Sequence, residues 1–308
     1  MRRLGNRRFL FKSDLGSECL RALRNSFKKM KKNRSRLFLF ITQILLTATC
    51  LAQSAEAPAA NQTKNPEALA SLQTAIQAQF QKDYSKAISA YEHARLLDPT
   101  LTGIDYQLAV IAFSQNQPDE ARKYLAKSIA AKDGVAASHN LLGVIAGQNK
   151  DYDTSIAEFK QAIQISPQDA NLHFNLSETY RESGQAGKAI AALNEAIKLS
   201  PHESLYPFKL RLARIAAGQG RELESETASQ LRESKPSGEW LLTAAAIALS
   251  RGAYSDAAIL LAHARESMDP IRFFGLIQDP CFKNYISEPS IKPFYDVEIT
   301  TSPSTNGS

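Results

Sequence analysis

A proline that recurs about every 34 residues constrains the fold of this chain more than any other sequence feature. The prolines are Pro99, Pro167, Pro201, Pro236 and Pro270, and the last four are separated by 34, 35 and 34 residues. Because proline cannot donate a helical hydrogen bond and restricts the residue before it, each one ends a helix and allows the next to begin. A period of this length predicts a supersecondary unit that is repeated and stacked along the chain.

Three further columns keep the same phase through six units and indicate what the unit is. The first small column is Ala87, Ala121, Ser155, Ala189, Leu223 and Ala257; the bulky column is Tyr91, Leu125, Phe159, Leu193, Thr227 and Leu261; the second small column is Ala94, Ser128, Ala162, Ala196, Gln230 and Ala264. Small residues let two antiparallel helices approach, and the bulky residue fills the gap against the neighbouring unit. Gly184, Gly218 and Gly252 fall between the two helices, where a left-handed conformation is needed. Each unit is therefore predicted to be a helix hairpin.

The fifth unit departs from this pattern. It places Thr227 and Gln230 where core residues are expected, and a one-residue shift to Ala228 and Leu231 would partly restore an apolar stripe. We interpret the departure as drift in a tolerant solenoid, with a specialised binding insert as the alternative.

Two of the units match a known repeat at several spaced positions. The first match consists of Leu142, Gly143, Tyr152, Ser155, Phe159, Ala162 and Pro167, and the second of Leu176, Ser177, Tyr180, Ala189, Leu193, Ala196 and Pro201. In these residues the chain resembles the tetratricopeptide repeat family. The resemblance implies an all-α, right-handed superhelical solenoid of about six helix hairpins over residues 66–269.

The chain after Pro270 no longer repeats. Residues 270–299 read as short helices begun at Asp-Pro or Glu-Pro steps, with Phe and Ile on one side. Because the last hairpin of a solenoid exposes an apolar face, we predict a C-terminal helical cap, with a docking motif for another protein as the alternative. Residues 300–308 are predicted to be a disordered tail.

The net charge of +6 is unevenly distributed along the 308 residues. Residues 1–36 hold thirteen basic and two acidic side chains, so the remainder carries a net charge of −5. No nucleic-acid partner is therefore expected, because the basic residues are confined to the start of the chain.

The basic block leads into an apolar run, residues 37–52, that ends among small side chains. This order is typical of a secretory signal peptide, so we predict a basic leader and signal peptide over residues 1–57 and a linker over residues 58–65. Met30 opens a leader of ordinary length, so our hypothesis is that translation begins at Met30; the alternative for residues 1–29 is a basic amphipathic arm that holds lipid or nucleic acid. Membrane contact is expected only through an uncleaved leader or lipidation of Cys50, whose preceding residues fit a lipoprotein signal poorly.

No group of residues points to catalysis. The five histidines are scattered, without the spacing of zinc ligands, and no phosphate-binding loop, dinucleotide fingerprint or nucleophile elbow occurs. We predict that the protein is not an enzyme and binds no metal or cofactor.

The family resemblance places the first helix of every hairpin on a concave face. It implies a partner-binding groove lined by Tyr106, Val110, Phe113, Asn140, Val144, Phe174, Asn175, Glu178, Arg181, Phe208, Lys209 and Leu212. The alternative for Phe174 and Phe208 is packing between hairpins. One subset of the family grips a terminal carboxylate with a Lys/Asn/Arg clamp; Asn175 and Lys209 fit it, but Val144 and Leu205 do not, so no clamp is predicted.

These observations predict a non-catalytic protein–protein interaction scaffold that binds a peptide or helix of a partner, in the periplasm or envelope of a bacterium. A subunit that helps to assemble an envelope machine, such as a pilus or an outer-membrane complex, is the alternative. An enzyme-associated protein or a purely structural spacer is the alternative from a different class.

Overall fold

The computed structural model describes residues 65–296, and every regular element within that range is helical. Twelve helices pair into six hairpins: α1 (Pro66–Phe80) with α2 (Tyr84–Leu97), α3 (Ile104–Ser114) with α4 (Pro118–Ala130), α5 (Val135–Gln148) with α6 (Tyr152–Ile165), α7 (Ala170–Glu182) with α8 (Ala186–Leu199), α9 (Leu205–Ala216) with α10 (Glu224–Leu231), and α11 (Gly238–Ser250) with α12 (Tyr254–Ser267). The prediction of an all-α hairpin solenoid is confirmed. The leader and signal peptide, the linker up to residue 64, Cys50 and the tail at 300–308 lie outside the described residues.

Two short helices follow the last hairpin. They are α13 (Pro270–Leu276) and α14 (Pro280–Lys283), and a 3-10 turn at Lys292–Phe294 comes after them. Asp269 and Asp279 cap these helices by accepting hydrogen bonds from backbone N–H groups of the first turn, and a proline fills the first helical position of each. We call residues 270–296 the C-terminal segment.

The repeated columns form the contact between the helices of a hairpin. Every member of the first small column and of the bulky column is buried, from Ala87 and Tyr91 in the first hairpin to Ala257 and Leu261 in the sixth. Gly143 shows how close the helices approach, because a Cβ atom there would lie 3.0 Å from the Phe159 ring. Buried Ser155 donates a hydrogen bond to the Gly143 carbonyl oxygen at 2.8 Å, so this polar side chain fits the small column without an unpaired hydroxyl.

The fifth hairpin keeps the phase of the repeat although its second helix is short. A 3-10 turn (Gly220–Leu223) replaces the first turn of this helix, and α10 packs on α11 of the next hairpin. Thr227 is buried and Ala228 is exposed, so the predicted shift to Ala228 is wrong. The buried Thr227 hydroxyl has no hydrogen-bond partner within residues 65–296.

The turn inside each hairpin needs one residue in the left-handed region. Gly184, Gly218 and Gly252 occupy it with φ of 75°, 80° and 74°, as predicted. In the first three hairpins the equivalent residues are Lys82, Asn116 and Lys150, with φ of 60°, 61° and 61°. A residue with a Cβ atom is strained there, whereas glycine is not.

This strain predicts opposite effects for two matched substitutions. Lys150→Gly should raise the free energy of unfolding by about 1 kcal/mol, because it relieves the left-handed strain. Gly184→Ala should lower it by about 1 kcal/mol for the converse reason. No atom lies within 4 Å of the Cβ position at Gly184, so this substitution tests conformation alone. Denaturant titration measures both values; shifts of the same sign would contradict the explanation.

Candidate functional site

The first helices of successive hairpins present one face, because positions 34 residues apart are equivalent in the repeat. We call it the first-helix face. It contains the twelve predicted groove residues and extends onto α1 through Leu69, Leu72, Ile76 and Phe80. Hydrogen bonds join neighbouring first helices along it: Gln79 donates to the Gln107 side-chain oxygen at 3.2 Å, and Asn175 donates to Asn140 Oδ1 at 2.9 Å.

The two ends of the first-helix face differ in exposure. On α1, Leu69, Ile76 and Phe80 are 37%, 56% and 48% exposed. On α9, Phe208 and Leu212 are completely buried, although Leu212 is equivalent to Ile76 in the repeat. The C-terminal segment covers the far end of the face, whereas α1 has no preceding hairpin among the described residues to pack against it.

The C-terminal segment covers this end with apolar side chains. Helix α13 packs on α12, and α14 packs on both α9 and α11. Phe273, Ile277, Phe282 and Ile291 are completely buried, and they form one apolar cluster with Leu212 and with residues of α11 and α12. Burial of a side chain such as Phe282 contributes roughly 2–3 kcal/mol, so several such anchors hold the segment in place.

Four ionisable side chains meet where the segment crosses α7 and α9. We call Glu178, Arg181, Lys209 and Asp279 the charge cluster. Arg181 donates to both carboxylates, and its Nη1 lies 3.0 Å from Glu178 Oε1. Lys209 also bridges them, with its Nζ 3.0 Å from Asp279 Oδ2. Asp279 has no exposed side-chain surface and Arg181 only 3%, so the pairing takes place away from water.

The pKa values of the charge cluster shift as expected for buried ion pairs. Burial alone raises the pKa of Asp279, but the Arg181 and Lys209 cations outweigh burial and hold it well below its ordinary value. Burial lowers the pKa of Arg181 and Lys209, yet the carboxylates of Asp279 and Glu178 outweigh it and raise both. Asp279, Arg181 and Lys209 therefore stay charged at neutral pH.

Cys281 lies beside the charge cluster and faces α9. Its Sγ is 3.4 Å from the Leu212 carbonyl oxygen, and burial, helped by the Asp279 charge, raises the pKa of the thiol to about 12. It is the only cysteine after residue 50. Its reactivity with thiol reagents therefore reports whether the C-terminal segment is docked.

In the structure, the twelve predicted residues fall into three groups by location. Glu178, Arg181 and Lys209 belong to the charge cluster. Phe174 stacks on Tyr206 with ring centroids 5.0 Å apart, so it packs between hairpins four and five, and Phe208 and Leu212 lie beneath the C-terminal segment. Tyr106, Phe113 and Val144 are half-buried and Val110 and Asn140 are buried on α3 and α5. Half-buried Asn175 of α7 joins this third group by donating a hydrogen bond to Asn140.

Sequence reasoning missed the two ends of this face. Leu69, Ile76 and Phe80 follow the repeat phase onto α1, so the same columns extended by one hairpin would have found them. In the sequence, Asp279 looks like an ordinary helix cap, and in the structure it does cap α14. Nothing in the local sequence indicates that its carboxylate also reaches residues 70 and 98 positions earlier.

The first-helix face therefore has two halves of different character. The open half, on α1, α3 and α5, presents Leu69, Ile76, Phe80, Tyr106, Phe113 and Val144, none of which is charged. The covered half, on α7, α9 and α11, contains the charge cluster and carries the C-terminal segment. The architecture is that of a helical repeat protein.

Comparisons with known proteins agree with this class. Two tetratricopeptide repeat models match, one at residues 106–170 and the other at residues 148–206. The solved structure of PilW, a widely conserved type IV pilus biogenesis factor, superposes with a TM-score of 0.54, at 20% identity over 75% of this chain and 99% of that one. PilF of Pseudomonas aeruginosa superposes with a TM-score of 0.52, at 14% identity over 72% of this chain and 97% of that one. The chain is a tetratricopeptide repeat protein.

The curated relatives match over shorter stretches. Protein FlbA of Caulobacter vibrioides is 28% identical over 138 residues, which are 44% of this chain and 23% of FlbA. The human protein O-mannosyl-transferase TMTC1 is 24% identical over 125 residues, 39% of this chain and 14% of that protein. The chain thus spans less than a quarter of the length of either relative.

Tetratricopeptide repeats in general bind other proteins. Between residues 65 and 296, no helix is long and apolar enough to cross a membrane.

The charge cluster gives a matched pair of substitutions. Asp279→Asn keeps the helix cap but leaves two buried cations with one carboxylate, so it should lower the free energy of unfolding by about 3 kcal/mol. The difference in unfolding free energy between the two chains should narrow progressively below about pH 4, because Asp279 of the unfolded chain takes up a proton there while the folded carboxylate, with its depressed pKa, stays charged to a lower pH.

Asp269→Asn is the control, because Asp269 caps α13 in the same way and lies outside the charge cluster. It should change the free energy of unfolding by less than about 0.5 kcal/mol. Denaturant titrations between pH 3 and 7 measure both variants. Equal effects at neutral pH would contradict the role given to the charge cluster.

Proposed function

We propose that this protein is a non-catalytic scaffold in the bacterial periplasm or envelope that binds an apolar peptide or helix of a partner on the open half of its first-helix face. The observation that carries the proposal is the row of exposed apolar side chains on α1, led by Ile76 at 56% and Phe80 at 48%. Large exposed apolar side chains that share one helix face are typical of a protein contact.

The spacing of these side chains supports a helix or extended peptide as the ligand. Leu69, Ile76 and Phe80 are seven and four residues apart, so they lie on one side of α1. Tyr106 and Phe113 continue the row onto α3 and supply aromatic contact area at low entropic cost. The lack of charge on this half favours an apolar partner surface.

The envelope location rests on the sequence and on two similar folds. A basic stretch followed by the apolar run 37–52 and small side chains fits export. PilW, which shares the fold, is a type IV pilus biogenesis factor. An assembly subunit for a pilus or another envelope machine is therefore the second candidate, and it would use the same open half.

A non-catalytic role fits the chemistry of the described residues. The deeply buried charged side chains, Arg181 and Asp279, pair within the charge cluster, and no group of three or more His, Cys, Asp or Glu residues in residues 65–296 is placed to hold a metal ion. The match to the O-mannosyl-transferase covers 14% of that protein and gives no basis for transferring its activity.

Photocrosslinking in living cells tests this proposal most sharply. A photoreactive benzoylphenylalanine in place of Ile76 should give a defined adduct with a partner, identified by mass spectrometry, in the periplasmic or envelope fraction. The matched control is the same amino acid in place of Leu96, which is 79% exposed on α2 and lies away from the first-helix face.

A charge placed on the open half should prevent binding without unfolding the hairpins. Ile76→Glu should lower the amount of the crosslinked partner that co-purifies with the protein by about tenfold or more. The reason is that a carboxylate would lose its water in an apolar contact. Leu96→Glu should leave recovery unchanged. Adducts that are identical at both positions, or a protein found only in the cytoplasm, would contradict the proposal and favour a structural spacer.

A further inference from the structure

The C-terminal segment reaches much farther than is needed to cap the last hairpin. Covering the apolar end of the solenoid requires contact with α11 and α12 only. Asp279 nevertheless pairs with Lys209 of α9 and Arg181 of α7, which precede it by 70 and 98 residues. The segment therefore lies across the first-helix face of hairpins four and five.

The covered half has the chemistry of a site for an acidic and aromatic segment. Without Asp279, Arg181 and Lys209 would be ion-paired only with Glu178, and the nearby Glu182 carboxylate would act on them at longer range. Next to them, Leu212 and the apolar residues of α11 surround the completely buried ring of Phe282. Asp279 and Phe282 are three residues apart on one helical turn that begins at Pro280, so carboxylate and ring reach both subsites together.

The segment leaves one strong donor of this site unused. Arg181 Nε is buried and finds no acceptor among residues 65–296. Asp279 meets the guanidinium through Nη2 and turns its other oxygen to Lys209. A carboxylate that engaged Nε and Nη2 side by side would satisfy the guanidinium more fully, because paired N–H donors match two carboxylate oxygens. A partner's carboxylate can thus pair better than the present one.

The elements of the segment are too short to be stable alone. Helix α13 has seven residues, α14 has four and the 3-10 turn has three. Helices of this length do not form in isolation, so the order of the segment depends on its contacts with the hairpins. Such a segment is expected to open locally at a lower cost than unfolding of the solenoid.

We propose that α7, α9 and α11 form a second peptide-binding site, specific for a carboxylate followed three residues later by an aromatic ring, and that residues 279–294 occupy it in cis. A partner segment of the same chemistry binds by replacing the C-terminal segment. This site is separate from the open half, and the proposal does not depend on the function assigned there.

The test uses the full chain with Cys19 and Cys50 replaced by serine and a labelled synthetic peptide of residues 275–290 in which Cys281 is serine. The peptide should bind the Asp279→Asn chain about tenfold or more tightly than the Asp269→Asn chain, because the apparent affinity rises as the cis occupant is weakened. A peptide with asparagine at position 279 should bind both chains weakly. Fluorescence anisotropy measures the affinity of all four combinations of peptide and chain.

Cys281 gives an independent readout in the chain that keeps Asp279. The wild-type peptide should accelerate the reaction of Cys281 with a thiol reagent in a saturable manner, and the asparagine peptide should not. If Asp279→Asn fails to fold by circular dichroism, Phe282→Ala replaces it with the same expectation. Equal peptide affinity for the two chains, or labelling of Cys281 that the peptide does not change, would overturn the proposal and leave the segment as a structural cap.

Discussion

The carboxylate of Asp279 between two buried cations is the interaction on which the division of the first-helix face depends. Arg181 and Lys209 are costly to bury unless they are paired, and without Asp279 they would be ion-paired only with Glu178. Asp279 completes the pairing and fixes the position of the short helix that carries Phe282. The charge cluster therefore decides which half of the face is covered and which stays open.

The repeat leaves an apolar surface on its last hairpin, and the C-terminal segment covers that surface. A single helix hairpin cannot bury its apolar side, so each one relies on the next, and the sixth has no successor among the described residues. The segment supplies the missing apolar surface with Phe273 and Ile291. It then continues beyond that end and covers hairpins four and five, which a minimal cap would leave exposed.

The sequence was sufficient for the hairpin architecture but not for the covered half of the face. Column positions such as Ala87 and Phe159 could be predicted because each obeys a local spacing rule that recurs with the repeat. The left-handed turn at Lys150 lacked its usual glycine, yet the period alone locates it. The contact between Asp279 and Arg181 has no such rule, because 98 residues separate them and a helix cap already accounts for an aspartate before proline.

The most direct test of this account is hydrogen–deuterium exchange of the full chain, followed by mass spectrometry on peptides that cover residues 276–294. The account predicts that these amides are protected well above the rate of an unstructured chain, and that Asp279→Asn removes the protection while α1 to α6 keep theirs. Exchange of residues 276–294 at the unstructured rate in the wild-type chain would contradict the docked segment and, with it, the division of the face into two halves.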